Sequence, residues 1–286
     1  MHQESRYERQ VQALGTEVQE RLRKSNVCVV GLGGLGSQVL QALAYLGVQT
    51  FTLIDEDSVE VTNLNRLIGA TVGDIGRPKV DVGAELVAEV NPNAVSTPIA
   101  KNLRSREGLD HARDASVLFG AVDNDGARLI LMELCCAYQL PYFDAATEFF
   151  LEAGRVADFG GRVVVSKPGD FCLSCAGEID MELAKTQLEP EGTRKVREEH
   201  GYGFGANVPS PAVASLNGIV SNIAVTEFLM MISGIRQPFR KSTYKGMRGV
   251  VQVSRDTRRE GCFNCEYLVG RGDSANIYRY ALKDRV

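Results

Sequence analysis

The sequence predicts an α/β protein whose sheet is doubly wound and mainly parallel, with antiparallel strands in its C-terminal part. The first observation behind this prediction is that β-branched apolar runs alternate with segments of helical periodicity over residues 1–145. The second is that a glycine-rich turn directly follows the first apolar run. The third is that the alternation stops after residue 145, where short strand-like runs follow one another.

Composition and charge narrow the class of protein. The chain has 286 residues, of which 44% are hydrophobic and 24% are charged, and its formal net charge is −4. This charge argues against a sequence-independent nucleic-acid binder, which is normally basic. The N-terminus lacks an apolar signal-peptide core, and the apolar run 219–232 is interrupted by Asn222, Thr226 and Glu227. We therefore expect a single domain over residues 1–286, located in the cytoplasm, with no membrane or nucleic-acid partner.

The first half of the chain should contain the parallel part of the sheet. Each expected strand is a short apolar run, and each expected helix shows 3.6-residue periodicity or a proline in its first turn. In chain order we expect an N-terminal helix within residues 1–24, strand 26–31, helix 35–46, strand 50–54, helix 78–90, strand 117–122, helix 126–138 and strand 141–145.

The second half should contain the antiparallel strands. Residues 153–159 and 162–166 flank Gly160 and Gly161, a pattern that is typical of a β-hairpin. Residues 178–209 are polar and charged, so we expect a surface crossover segment there. A core helix over 210–232 and a final strand over 250–253 should follow.

The turn after the first strand has the pattern G-x-G-x-x-G. Its glycines are Gly31, Gly33 and Gly36, with Gly34 in addition. Glycine lets the backbone approach a phosphate closely, and the free N–H groups at the start of the next helix can bind it. Asp55 ends the second strand 19 residues after Gly36, where a carboxylate can accept hydrogen bonds from ribose hydroxyls. The combination predicts a Rossmann-like site for an adenosine-containing ligand, but it does not decide between NAD and ATP.

Charged residues at other strand ends favour ATP. Arg66 lies in the polar segment after Asp55, Lys79 begins the next helix, and Asp123 follows a later strand. Ligands of open α/β sheets bind at the carboxyl ends of the strands. Arginine and lysine neutralise phosphates and aspartate can hold Mg²⁺, so this set suits a triphosphate better than a dinucleotide.

The ordered motifs resemble those of the MoeB/ThiF/HesA family, the adenylating half of ubiquitin-like protein activation. The resemblance covers residues 6 to about 265 and is carried by Arg6-Tyr7-x-Arg9-Gln10, Gly31-x-Gly33-Gly34-x-Gly36, Asp55-x-Asp57-x-Val59-x-x-x-Asn63-Leu64-x-Arg66, Pro78-Lys79 and Asp123-Asn124. Leu67 departs from it, since family members often have Gln there. The resemblance implies ATP-dependent adenylation of the C-terminal carboxylate of a small ubiquitin-like β-grasp protein, with release of pyrophosphate, before conjugation or sulfur transfer.

The resemblance also implies a nucleotide site made of residues from these motifs. They are Gly31, Gly33, Gly34, Gly36, Asp55, Asp57, Thr62, Asn63, Arg66, Lys79 and Asp123. Within this set, Asp55 would hold the ribose, and Thr62 and Asn63 would line the site.

Four of the residues that match the family would be catalytic. Arg66 and Lys79 would contact the phosphates of ATP, and Asp123 would coordinate Mg²⁺. Arg9 would reach into the site of a partner subunit, which implies a homodimer.

Two CxxC pairs predict a structural zinc site. Cys172 and Cys175 form one pair, and Cys262 and Cys265 form the other. Two such pairs complete a tetrahedral four-thiolate site, which is closed and therefore structural. Redox pairs and unliganded thiols remain as alternatives.

The other cysteines bear on the fate of the adenylate. No cysteine lies within residues 178–209, where family members that form a thioester usually carry one. Cys28 falls in a predicted strand, and Cys135 and Cys136 fall in a predicted helix, so all three should be buried. Three alternatives remain open. The reaction stops at the adenylate, or the acyl group passes directly to a thiol of a partner protein. The third is that Ala206 stands where the natural sequence has a catalytic cysteine. The sequence of residues 201–218 resembles that of ThiF-like proteins from bacterial ubiquitin-like conjugation systems. This resemblance implies a conjugating-enzyme-like partner.

Two other functions remain open. An NAD-linked oxidoreductase would need an acid or base near the nicotinamide, and the three histidines lie in a tail, near a loop and in the crossover. A non-catalytic scaffold that binds a ubiquitin-like protein should have lost the phosphate-contacting residues, whereas Arg66, Lys79 and Asp123 are all present. Adenylation is therefore the leading hypothesis.

Overall fold

One eight-stranded mixed sheet forms the centre of the computed structural model, which describes residues 6–189 and 211–282. The strands are β1 (Asn26–Val30), β2 (Thr50–Ile54), β3 (Val95–Ile99), β4 (Val117–Gly120), β5 (Tyr142–Glu152), β6 (Arg155–Ser166), β7 (Lys241–Lys245) and β8 (Val250–Val253). Their order is β3-β2-β1-β4-β5-β6-β7-β8. The pairs from β3 to β5 are parallel and those from β5 to β8 are antiparallel, which confirms the predicted sheet.

Helices connect the parallel strands and cover the sheet. In the described residues they are α1 (Glu8–Leu14), α2 (Thr16–Lys24), α3 (Gly34–Leu46), α4 (Lys79–Val90), α5 (Arg106–Arg113), α6 (Asp125–Tyr138), α7 (Leu173–Ala176), α8 (Met181–Leu188) and α9 (Ala214–Ser233). The predicted helices 35–46, 78–90 and 126–138 correspond to α3, α4 and α6.

Strand β1 shows why the sheet is covered on both faces. Val27 and Val29 pack into one core with α3, α4 and α9. Cys28 and Val30 pack into a second core with α6 and the C-terminal turns. Successive side chains of a strand point to opposite faces, so a strand buried on both faces reads as one continuous apolar run.

The hairpin between β5 and β6 exists, but its predicted turn is wrong. The chain turns at Ala153 and Gly154, whose φ angles are 49° and 75°. A two-residue turn with positive φ at both positions matches the right-handed twist of the strands that it joins. Gly160 and Gly161 instead lie within β6, and a Cβ on Gly160 would be 2.3 Å from the carbonyl oxygen of Tyr244. Gly160 therefore allows β7 to approach β6 closely, whereas a Cβ on Gly161 would meet Val220 of α9 at 2.5 Å.

Two other element predictions need correction. The N-terminal helix predicted within residues 1–24 is two helices, because Gly15 has a φ of 85° and breaks the helix. Residues 1–5 lie outside the described residues. Strand β3 and helix α5 were not predicted. Pro98 interrupts the pattern of β3, and an edge strand tolerates proline because one side of its backbone has no strand neighbour.

The predicted crossover is only partly described. Its beginning contains α8, whereas residues 190–210, including Ala206, lie outside the described residues. The predicted core helix over 210–232 corresponds to α9. By length and composition α9 could span a membrane. In the fold it packs against α3, β5 and β6, as expected of a core helix.

Candidate functional site

The glycine-rich turn joins β1 to α3 and is packed against the end of β4. A Cβ on Gly31 would lie 2.5 Å from the carbonyl oxygen of Ala121, and one on Gly36 would lie 1.8 Å from the carbonyl oxygen of Gly31. These two glycines therefore serve the packing of the turn itself. A Cβ on Gly33 would meet no atom within 4 Å, so this glycine faces open space at the start of α3.

Gly34 has a different part in the site. A Cβ there would lie 2.7 Å from Cγ of Arg66 and 2.6 Å from Nδ2 of Asn217. The missing side chain thus lets the stem of Arg66 cross the N-terminus of α3. The positive charge of the Arg66 guanidinium and the partial positive charge of the helix N-terminus then lie in the same region. Together they favour the binding of an anion there.

Asp55 fastens the glycine turn to the end of β2. Its Oδ2 accepts the amide N–H of Leu32 at 2.6 Å, and its Oδ1 accepts the amide N–H of Asp57 at 2.8 Å. Burial raises the pKa of the Asp55 carboxyl, while the positive charge of Lys79 and the two amide donors oppose this shift. Each carboxylate oxygen has a second lone pair that a hydroxyl can use.

Lys79 lies beside this carboxylate at the start of α4. Its Nζ is 2.7 Å from Oδ2 of Asp57, and its side chain is only 10% exposed. Its amide N–H also donates to the carbonyl oxygen of Asp57 at 3.0 Å. The structure therefore brings Lys79 to Asp55 and Asp57, although it lies 22 residues after Asp57 in the sequence.

The polar segment before Arg66 holds the arginine in place. The Arg66 guanidinium donates to the carbonyl oxygen of Thr62 at 2.5 Å and to Oδ1 of Asn65 at 3.0 Å. Thr62 and Asn63 both contact Glu60, which begins this short turn. The predicted nucleotide-lining residues thus act in this structure as supports for Arg66.

Asp123 lies just beyond β4, in front of α6. It is exposed, and its Oδ1 accepts from the Asn124 amide at 3.4 Å. Asn124 caps α6, because its side-chain oxygen accepts the amide N–H of Ala127 at 2.8 Å. The Asp123 carboxylate therefore projects from a fixed turn at the carboxyl end of the sheet.

Arg9 is separated from the glycine turn of its own chain. It is exposed on α1, and its neighbour Gln10 donates to the carbonyl oxygen of Leu46, the last residue of α3. The glycine turn is at the other end of this helix, about 18 Å away at 1.5 Å per residue. The structure does not bring Arg9 together with the other predicted site residues of the same chain.

Helix α9 contributes residues that sequence reasoning missed. Asn217 is buried against Gly34 and accepts from the Thr147 hydroxyl at 3.1 Å. The Ser221 hydroxyl donates to the carbonyl oxygen of Leu35 at 2.9 Å. Both contacts hold α9 against the N-terminus of α3. Only the polar interruptions of this apolar helix could have indicated them.

The two CxxC pairs meet in one buried cluster. The Sγ of Cys172 is 3.8 Å from that of Cys175 and 3.6 Å from that of Cys262. The Sγ of Cys175 is 3.8 Å from that of Cys265, and all four Sγ atoms lie within 4.8 Å of one another. Tetrahedral Zn–S bonds of about 2.3 Å require S···S separations of about 3.8 Å. The cluster therefore fits a structural zinc ion.

The thiols of the cluster differ in acidity. Hydrogen bonding from Cys265 and the other thiols lowers the pKa of Cys172 to about 5, whereas burial raises the pKa of Cys262 to about 11. The lowered pKa of Cys172 favours its thiolate, the form in which cysteine binds a metal.

The remaining cysteines are inert core residues, as predicted. Cys28, Cys135 and Cys136 are all 0% exposed. Burial raises the pKa of Cys28 and Cys135, which disfavours the nucleophilic thiolate.

Comparison with known proteins identifies the family. The ThiF family profile matches residues 7–266. The chain is 30% identical over 237 residues to the sulfur carrier protein ThiS adenylyltransferase of Escherichia coli K12, covering 82% of this chain and 83% of that protein. It is 27% identical over 266 residues to the molybdopterin-synthase adenylyltransferase of the same strain, covering 91% and 95%.

A solved structure has the same fold. Escherichia coli MccB with ATP has a TM-score of 0.70 and 20% identity, covering 91% of this chain and 74% of that chain. At this identity the likeness shows the fold alone.

The fold and the matches define an adenylyltransferase of the ubiquitin-activating type. More particularly, the chain belongs to the ThiF family, which confirms the resemblance found in the sequence.

Two glycine substitutions should separate ligand binding from folding. Gly33→Ala adds a methyl group in open space, so its free energy of unfolding should change by less than about 1 kcal/mol while ATP binds about tenfold more weakly. Gly36→Ala forces a clash within the turn and should destabilise the protein by about 3 kcal/mol. Urea denaturation and calorimetric titration with ATP measure both effects. Equal destabilisation by the two variants would contradict this division of roles.

Removing one cluster thiol should abolish metal retention. Cys262→Ser should lower the zinc content from about one ion per chain to near zero, because structural sites need all four ligands. Its melting temperature should fall together with the metal content. Cys28→Ala, which removes a buried thiol outside the cluster, should retain zinc. Elemental analysis of the purified variants checks this, and zinc retained by Cys262→Ser at the wild-type level would refute the site.

Proposed function

We propose that this protein uses ATP to adenylate the C-terminal carboxylate of a small ubiquitin-like β-grasp protein. The observation that carries the proposal is the pair of cations beside the glycine turn. Arg66 crosses the N-terminus of α3 at Gly34, and Lys79 lies next to Asp55 and Asp57. A triphosphate needs such cations, and an adenosine ribose needs an acceptor such as Asp55.

The chemistry is the joining of two anions. A carboxylate oxygen of the β-grasp tail attacks the α-phosphorus of ATP, the bond from that phosphorus to the bridging oxygen breaks, and pyrophosphate leaves. Arg66 and Lys79 neutralise phosphate charge and so allow the approach of the carboxylate. Lys79 must exchange its contact with Asp57 for one with a phosphate. Asp55 orients the nucleotide through the ribose.

Asp123 is the proposed ligand of Mg²⁺. Its carboxylate is exposed at the carboxyl end of the sheet, and no ion pair to it is found in the described part of the chain. A hard, oxygen-rich ligand of this kind suits Mg²⁺. The ion, when bound, supplies further neutralisation of the phosphates.

The fate of the adenylate follows from the buried cysteines. Of the seven cysteines, four form the metal cluster and three are fully buried. We therefore infer that the acyl adenylate is the final product held by this chain, and that a nucleophile on another protein accepts the acyl group. One relative is named as the adenylyltransferase of a sulfur carrier protein, ThiS. A conjugating-enzyme-like partner and a cytoplasmic location remain predictions of the sequence.

We infer that the site is completed by a second copy of the chain. Ile219 of helix α9 is 39% exposed, on a face that it shares with the exposed polar residues Ser215, Asn222 and Thr226. Arg9 is exposed near the C-terminal end of α3, whereas the glycine turn of the same chain is at the N-terminal end of this helix. A homodimer would cover the outer face of α9 and could bring Arg9 of each chain to the site of the other.

Loss of the cations or of the metal ligand should abolish adenylation. Arg66→Ala and Asp123→Ala should each lower ATP–pyrophosphate exchange by at least about 100-fold, because they remove charge from the transition state. The exchange must depend on a β-grasp protein with a free C-terminal glycine. Arg106→Ala, on the exposed surface of α5, is the matched control and should leave exchange unchanged. Wild-type-like exchange in both site variants would refute the assignment, and absence of partner-dependent exchange in the wild type would favour a scaffold.

Mixed dimers should reveal whether Arg9 acts in the other chain. Arg9→Ala and Lys79→Ala should each be inactive alone. After denaturation and refolding of an equal mixture, half of the dimers contain one of each chain and one intact site, so about a quarter of wild-type exchange should return. No recovery would show that Arg9 acts within its own chain or not at all.

A further inference from the structure

Six charged side chains, joined by ion pairs of 3.7 Å or less, form a network beneath the loop that carries Asp123. Three members are acidic and three are basic: Asp125, Asp144, Glu178, Arg128, Arg162 and Lys241. Asp144 is fully buried, pairs with Arg162 and accepts from the Tyr142 hydroxyl. Buried ion pairs contribute little net stability, because desolvation opposes their attraction. Stability alone is therefore a weak reason for this network.

Arg128 holds the Asp123 loop on both sides. Its guanidinium donates to the carbonyl oxygen of Val122, just before Asp123, at 3.0 Å. It also donates to Oδ1 of Asp125, just after Asp123, at 2.7 Å. The Arg128 side chain is only 15% exposed, and its Nε lies 3.7 Å from Oδ2 of Asp144. One planar guanidinium thus fixes the backbone on which Asp123 stands.

The same network fastens the start of the crossover segment to this loop. Oδ2 of Asp125 accepts the amide N–H of Asp180 at 2.9 Å. The side-chain oxygen of Gln187, on α8, accepts the amide N–H of Gly126 at 2.8 Å. Glu178 is held by Arg162 at 2.8 Å. The crossover therefore begins as part of the same unit as the Asp123 loop.

We propose that Arg128 is a positioning residue that fixes the Asp123 carboxylate for the metal–nucleotide complex and ties the crossover to it. The proposal rests on the proposed function, since it assumes that Asp123 binds the metal. Lysine cannot replace Arg128, because a single ammonium cannot keep the fork geometry that holds Val122 and Asp125 together. Supports of metal ligands typically change metal affinity by about 10- to 100-fold.

Arg128→Lys should weaken metal binding without removing the charge. Mn²⁺ serves as the probe, and its paramagnetic resonance signal measures binding to the protein in the presence of a non-hydrolysable ATP analogue. The Mn²⁺ dissociation constant should rise about tenfold. The affinity for the analogue without metal should stay unchanged, since the hydrogen bonds of Arg128 go to Asp125 and Val122 and not to the glycine turn.

Arg236→Lys is the matched control. Arg236 also holds a buried carboxylate and a backbone carbonyl, with Glu227 oxygens at 2.7 Å and the carbonyl oxygen of Gln237 at 3.0 Å. It lies beyond the C-terminal end of α9, away from the Asp123 loop. A general loss of packing would affect both variants, whereas a positioning effect should appear only in Arg128→Lys.

A double-mutant cycle tests whether Arg128 acts through Asp123. Asp123→Asn should itself weaken Mn²⁺ binding, and adding Arg128→Lys should weaken it no further. Full additivity would overturn the proposal. So would a Mn²⁺ dissociation constant for Arg128→Lys equal to that of the control.

Folding and the proposed function are tested separately. If Arg128→Lys is unfolded by urea denaturation, Asp125→Asn takes its place. It removes the ion pair but keeps an acceptor for the Asp180 amide, so the same tenfold loss is expected and an unchanged dissociation constant would overturn the proposal. A wild-type protein that binds no Mn²⁺ with the analogue would refute the role of Asp123 in the proposed function, and with it the basis of this inference.

Discussion

The site depends on the close packing of the glycine turn between β1 and β4. A side chain on Gly31 would collide with the carbonyl oxygen of Ala121, and one on Gly36 would collide with the turn itself. Because both are absent, α3 begins directly at the carboxyl ends of the strands. Asp55 then fixes the turn from the other side through the amide N–H of Leu32. Every other proposed contact to a nucleotide is placed relative to this turn.

Charge is arranged in two layers around that turn. The outer layer contains Arg66 and Lys79, the two cations that we propose neutralise the phosphates of ATP. The inner layer is the neutral network centred on Asp144, which supports the Asp123 loop through Arg128. An outer layer with replaceable partners suits binding, since Lys79 can exchange Asp57 for a phosphate. An inner layer of largely buried ion pairs suits positioning, because breaking one contact leaves another charge without compensation.

Contacts within the C-terminal part of the chain join residues that are far apart in the sequence. Cys172 and Cys262 are 90 residues apart, yet their sulfurs are 3.6 Å apart. Helix α7 carries Cys175 and ends two residues before Glu178, which pairs with Arg162 and Lys241. These ion pairs therefore hold both the cysteine cluster and the start of the crossover segment. Helix α9 contacts both the sheet and the start of α3. The metal cluster thereby belongs to the same structure as the site, although it holds no site residue itself.

The sequence by itself determined the features that depend on local patterns. Apolar periodicity located the parallel strands other than β3 and the helices α3, α4 and α6, and fixed spacings revealed the glycine turn and the four cysteines. The ordered motifs were enough to identify the family. Tertiary structure decided the rest, because those contacts join residues with no common local pattern. It placed the turn at Ala153 and Gly154, added β3 despite Pro98, and brought Asn217 against Gly34. It also joined Arg128, Asp144 and Arg162, three charges that lie on different elements and meet only through long-range folding.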